Sequence, residues 1–192
     1  VSQERRQEIV DAARRLVERS GIESISVRSV AREAGIGAST LRHYFPTQAD
    51  LFDVLIEPAL ERMLPDLRIA DRRVAPRRRL TECLMQYFPG DFMRTEFTSM
   101  WFSAYAAAVG PSATEHGTHT LERMSAVSRD RIESWLVQLE SEGALLVDRG
   151  AAMLLLLTVL DGMCVQLITP GTIFAGEDVQ PTLEQAVNAV VR

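Results

Sequence analysis

At 192 residues the chain is long enough for one or two domains and for a core that needs no disulfide or metal staple. Its 46% hydrophobic and 24% charged residues exclude a disordered chain, and two cysteines, Cys83 and Cys164, are too few for a disulfide scaffold or a four-cysteine zinc site. The net charge of −5 excludes a uniformly basic coat, but residues 1–48 hold eight Arg against six Asp/Glu while the remainder holds thirteen against twenty, the asymmetry of a chain that meets an anionic partner at one end.

The chain opens without a basic segment followed by an apolar run, so no secretory leader is expected and the expected compartment is the cytoplasm. The start at Val1 leaves room for a preceding segment. Apolar residues recur at spacings of three and four almost throughout, and strand-like alternation is scarce, which predicts an all-α fold of about nine helices. The first helix spans about Ser2–Ser20, with Ile9, Ala12, Ala13, Leu16 and Val17 on one face and Gly21 as its stop. Ser26 caps a short second helix, Val27–Ala34. Gly35-Ile36-Gly37 breaks the chain, a third helix runs from Ala38 to Phe45, and Pro46 ends it. Thr47-Gln48-Ala49-Asp50 has the form of a capping box opening a fourth helix to about Leu64, kinked at Pro58.

From Pro65 to Arg79, two prolines and six arginines predict a partly irregular connection. Further helices are expected near 77–88, 91–109, 118–142, 149–169 and 180–191, punctuated by Pro and Gly. The stretch Ala151–Ile168 is apolar enough to raise the question of a membrane span. Asp161 in its middle is expensive in lipid, and the expectation is a helix buried in protein, with no membrane partner.

The informative segment is Ser26–Phe45. Two short helices joined by a three-residue turn containing glycine describe a helix-turn-helix. Val30, Ile36, Leu41 and Phe45 form the inward apolar set, and Ala31 is small where helices must approach. Gly35 supplies the positive φ that stops a helix sharply. The outward face of the third helix carries Ala38, Ser39, Thr40, Arg42, His43 and Tyr44, which suits a DNA groove and its phosphates. An ordinary helical hairpin is the plainer alternative.

Arg28, Ala31, Ala34, Gly35, Thr40-Leu41 and His43-Tyr44-Phe45-Pro46, followed by Ala49-Asp50-Leu51, resemble the N-terminal domain of TetR-family regulators. Ile9-Val10-Asp11-Ala12-Ala13 and Gly21 fit that family too, and the close match covers about residues 5–55. The resemblance implies a three-helix DNA-binding domain over 1–46 and a larger helical ligand-binding and dimerisation domain over 47–192. It implies that the helix from Ala38 enters the major groove, with Thr40 and Tyr44 on phosphates and Arg28 in the DNA-binding set. Two positions depart from the family pattern: Arg42 stands where many members have Tyr, and Gln48 where Lys commonly touches phosphate. Arg42 can read guanine O6/N7 bidentately, worth about 1–3 kcal/mol of discrimination, or it can hold a phosphate. Gln48 gives up one cationic contact, which should flatten the salt dependence.

In the larger domain, Phe97, Trp101 and Tyr105 share a face at spacings of four. With Met100, Phe102, Tyr87, Phe88, Met124 and Cys164 they are ligand-pocket candidates, ordinary core being the strong alternative. Asp161 is a further candidate, as a carboxylate among apolar residues that needs a partner. The helices near 118–142 and 149–169 are the expected dimer elements, where Gly162 permits close approach. The arginines at 68–79 are expected to be solvated or to face an acidic partner. A fourth helix of about 18 residues would carry them about 27 Å from the DNA.

His116 and His119 have metal-like spacing but lack thiols nearby. A redox role for the cysteines is disfavoured because lone buried thiols are usually inert. No phosphate loop, metal cluster or nucleophile motif is found, so neither an enzyme nor a cofactor is expected. The expected protein is a repressor that binds a palindromic operator as a homodimer and is released by a small molecule of unknown identity.

Overall fold

The computed structural model describes residues 2–20, 26–47, 50, 51, 54, 64–88, 96–111 and 113–192. Eight α-helices lie among them: α1 (Ser2–Ser20), α2 (Val27–Glu33), α3 (Ala38–Tyr44), α4 (Pro76–Met85), α5 (Glu96–Ala108), α6 (Glu115–Ser141), α7 (Arg149–Ile168) and α8 (Val179–Val190). The fold is all-helical; among the described residues the one β feature is an isolated antiparallel bridge between Leu145 and Val191. The Gly21 stop, the Pro58 kink and most of the expected fourth helix lie outside the described residues. The box that opens that helix is present: Thr47 N donates to Asp50 Oδ2 at 2.8 Å and Asp50 N to Thr47 Oγ1 at 3.1 Å.

The chain groups into two compact units, residues 1–60 with 96–125, and residues 61–95 with 126–192. In the first, α1 buries Ile9, Val10, Ala12, Ala13 and Leu16, the stripe expected of an amphipathic helix. It packs on α2, and α2 packs on α3. Glu33 of α2 accepts a hydrogen bond from Arg19 of α1 at 2.7 Å, with Arg15 at 3.9 Å, and the Arg6 guanidinium lies 4.8 Å over the Phe45 ring. Later in the same unit, Gly117 of α6 is buried against the Ala107 backbone of α5, so closely that a Cβ there would clash.

In the second unit α8 packs on both α4 and α7, and Trp135, Ile132, Leu136 and Leu139 of α6 are fully buried. Trp135 Nε1 donates to Asp66 at 2.9 Å, satisfying its polar tip. The expectation for the arginine-rich connection needs correction. Residues 64–75 are irregular, but α4 begins at Pro76, as proline at a first helical position favours. Arg79 is not solvated at all. It is 2% exposed and donates to Glu142 at 2.5 and 3.1 Å and to the Ile69 carbonyl.

A second correction concerns α7, expected to be buried in protein and to be a dimer element, because this chain by itself covers little of it. Only 28% of its most apolar stretch is buried, although its length and composition alone would let it cross a membrane. Leu154 is 70% exposed, with Leu155 and Val165 also in the open, and nothing lies within 4 Å of a Cβ built on Gly162. Asp161 belongs to this correction. It is exposed rather than enclosed, and it has no hydrogen bond or ion pair among the described residues.

Candidate nucleic-acid interface

The turn between α2 and α3 follows from three residues. Ser26 caps α2 reciprocally with Ser29: Ser29 N donates to Ser26 Oγ at 3.1 Å and Ser26 N to Ser29 Oγ at 2.9 Å. Gly35 takes φ +64°, the left-handed conformation that a side chain would strain. Ile36 N then returns to the Ala31 carbonyl at 2.9 Å, closing the turn. The helices end one residue earlier than expected, at Glu33 and Tyr44, with Ala34 and Phe45 as their C-caps.

Val30, Leu41 and Phe45 are fully buried and Ala31 nearly so, which locks the face of α3 that points inward. Ile36 departs from expectation by being only half-buried. On the other face Ser39, Thr40, Arg42 and His43 are exposed, while Ala38 and Tyr44 are half-buried. The Tyr44 ring meets His43 edge-on at 5.3 Å, so Tyr44 is partly supported by its neighbour. Arg28 is exposed on α2, and Arg32, four residues on, is exposed on the same face. The sequence reading passed over Arg32; the i, i+4 spacing from Arg28 was the available signal. Gln48 lies outside the described residues.

Electrostatics rigidify the frame and leave the outer face of α3 open. The Arg19 guanidinium holds the Glu33 carboxyl below its usual range, and hydrogen bonds from Thr47 do the same for Asp50. Both carboxylates are thereby committed to internal partners. The exposed face presents hydroxyls, one guanidinium and one imidazole, donors suited to phosphate oxygens and guanine edges.

The family described as "Bacterial regulatory proteins, tetR family" matches residues 9–55, which span the buried stripe of α1, the turn and α3. Over these residues the chain is similar to the TetR family. Among relatives, the HTH-type transcriptional regulator PksA of Bacillus subtilis is 30% identical over 107 residues, covering 55% of this chain and 52% of PksA. The chain spans about half the length of the curated relatives it matches. A TetR transcription regulator from Haloarcula marismortui superposes over 99% of this chain and 100% of its own, at TM-score 0.62 and 18% identity, which shows the fold. The multidrug binding protein EbrR complexed with proflavin covers 95% of this chain and 99% of its own, at TM-score 0.63 and 25% identity.

The ligand-pocket candidates fall in both units. In the first, the Trp101 and Tyr105 rings lie 5.0 Å apart on α5, as the spacing of four predicts, with Tyr105 exposed and Trp101 half-buried. Met124 is buried; the Phe97 and Met100 side chains lie outside the description. In the second, Tyr87 is buried and its hydroxyl donates to the Ser128 carbonyl at 3.3 Å, so that polar tip is already used. Cys164 is buried, and burial pushes its thiol up to about 12. Cys83 is pushed equally far by burial, and its thiol contacts the Asp66 carbonyl at 3.4 Å. Such thiols are poor nucleophiles at neutral pH. Asp161 is exposed at the surface of this chain, yet the apolar side chains around it desolvate its carboxyl enough to raise it above the usual range.

Proposed function

We propose that this chain is a ligand-responsive, sequence-specific transcriptional regulator that binds a palindromic operator as a homodimer and is released from it by a small molecule. Its site of action would be the cytoplasm, with a DNA-binding head over 1–46 and an effector-binding and dimerising body over 47–192. The observation that carries the reading is the exposed row Ser39, Thr40, Arg42 and His43 on a helix fixed by a fully buried opposite face. That is the geometry of a recognition helix docked in a major groove. In this reading Arg42 takes a guanine edge, Thr40 and Tyr44 take phosphates, and Arg28, Ala38, Ser39, His43 and Gln48 border the groove.

The dimer is assigned to α7 and the second half of α6. The exposed Leu154, Leu155 and Val165 form an apolar surface on a helix whose charged residues are Arg149 and Asp161. A second copy would cover that surface isologously. The effector is assigned to the aromatic face of Trp101 and Tyr105, with Phe97 and Met124 in the same unit. Tyr87, Asp161 and Cys164 are the candidates of the other unit. The likeness to a multidrug binding protein complexed with proflavin supports a small-molecule effector. Release would be a shift between two arrangements of the dimer, with a coupling of about 1–3 kcal/mol weakening operator binding about 5–150-fold.

Footprinting of the purified chain on the DNA flanking its own gene tests the proposal. Two protected half-sites related by a dyad, about one helical turn or a multiple apart, are expected. A single protected half-site, or uniform protection that does not localise, would contradict it.

A further inference from the structure

The second unit contains a cleft that the DNA-binding reading does not use. It has a volume of about 990 Å³ and lies between α4 and α8, with Leu67 and Arg68 also lining it. Its α4 wall presents Arg77, Arg78, Thr81, Glu82 and Met85, and its α8 wall Gln180, Glu184 and Asn188. Every lining residue belongs to the one unit.

The charges in this cleft do not balance locally. Arg68 and Arg78 both converge on Glu82: Arg68 Nε donates to it at 3.0 Å and Arg78 Nε at 3.1 Å. One carboxylate thus faces two guanidiniums, and Asp71 acts on Arg68 as well. Arg77 is anchored differently. Its Nε donates to the Val191 carbonyl at 2.8 Å, a neutral acceptor, and its terminal nitrogens have no partner among the described residues. The lining as a whole holds three arginines against two glutamates, a surplus of one positive charge, and the terminal nitrogens of Arg77 can bind a carboxylate or phosphate in bidentate fashion.

The α8 wall offers the complement. Gln180, Glu184 and Asn188 recur at spacings of four and so share one face. Gln180 Nε2 donates to Glu184 Oε1 at 2.8 Å, which leaves Glu184 able to accept from a ligand hydroxyl; Asn188 has no partner among the described residues. Leu67 and Met85 supply apolar contact. The volume lies at the upper end of small-molecule sites.

We propose that this cleft binds a small hydroxylated polycarboxylate, one carboxylate on Arg77 and Arg78 and a hydroxyl toward Glu184 and Asn188. The site is separate from the aromatic candidates on α5 and does not depend on DNA binding. Occupancy would bridge α4 to α8 and make the second unit sensitive to an anionic metabolite class.

Calorimetric titration of the full chain with citrate at low ionic strength tests this, with inorganic phosphate as a second probe. Saturable binding of one citrate per chain is expected, displaced by excess phosphate and weakened at least about tenfold in Arg77→Gln, the loss of a charge-assisted pair. Asn188→Asp, which leaves every arginine in place and adds a negative charge to the wall, is expected to weaken it as well. Arg129→Gln, an exposed arginine outside the cleft, should change affinity by less than about twofold. Failure of phosphate to displace bound citrate, absence of saturable citrate binding, or equal affinity in Arg77→Gln, Asn188→Asp and the parent chain would overturn the proposal.

Discussion

Arg79 and Glu142 show how much a single buried pair can matter to this body. The Arg79 guanidinium holds the Glu142 carboxyl down to about 2, well under its ordinary 4.5, and Gln138 and Arg72 add to the effect. Because the folded-state value is depressed, the stabilisation is fully present above about pH 4.5 and is lost as pH falls toward about 2. Chemical denaturation at pH 7 and at successively lower pH should show the midpoint falling through that window, and the fall should be much smaller in Glu142→Gln. At neutral pH, Glu142→Gln leaves a guanidinium buried without its counter-charge, and a loss of about 3–5 kcal/mol is expected. Equal stability of the two proteins at pH 7 would show that the pair contributes nothing. Gly117 makes a different point at the same scale. Its place against the Ala107 backbone predicts that Gly117→Ala lowers stability by about 1–3 kcal/mol, as overpacking does, readable as a lowered thermal midpoint.

At the scale of elements, the parts legible in the sequence were those fixed by local chemistry. Ser26 and Ser29 made the expected cap, Thr47 and Asp50 the expected box, and Gly35 the expected positive φ, because each motif is satisfied within three or four residues. Ser26→Ala should therefore destabilise the head by about 0.5–2 kcal/mol, measurable by thermal unfolding. The inward set of α3 was legible for the same reason, since period 3.6 places Leu41 and Phe45 together. What the sequence hid were the contacts made across long separations. Arg79 reads like its neighbours Arg77 and Arg78, and only the fold brings Glu142, 63 residues away, beside it. The apolar α7 looked like core because composition cannot tell burial within one chain from an apolar face left exposed. The same blindness made Asp161 look enclosed when it stands in the open.

At the scale of the whole molecule, the proposed dimer face of α7 and the proposed reading face of α3 stand together, because a palindromic operator would require two heads at a fixed spacing. Leu154→Glu places a charge on the most exposed leucine of α7 without disturbing a buried contact. Sedimentation should show it shifted from dimer toward monomer while circular dichroism keeps its helical content, and operator affinity should fall with the dimer. A variant that stays dimeric would move the interface elsewhere.

The central claim is that α3 reads a base sequence. Fluorescence anisotropy of the chain and of Arg42→Ala, on labelled fragments flanking its own gene and across a salt series, tests it most directly. The account predicts tight, salt-sensitive binding to one fragment. Arg42→Ala should lose about 1–3 kcal/mol of discrimination on that fragment and little on the others. Weak binding of equal strength on every fragment, unchanged in ratio by Arg42→Ala, would contradict it.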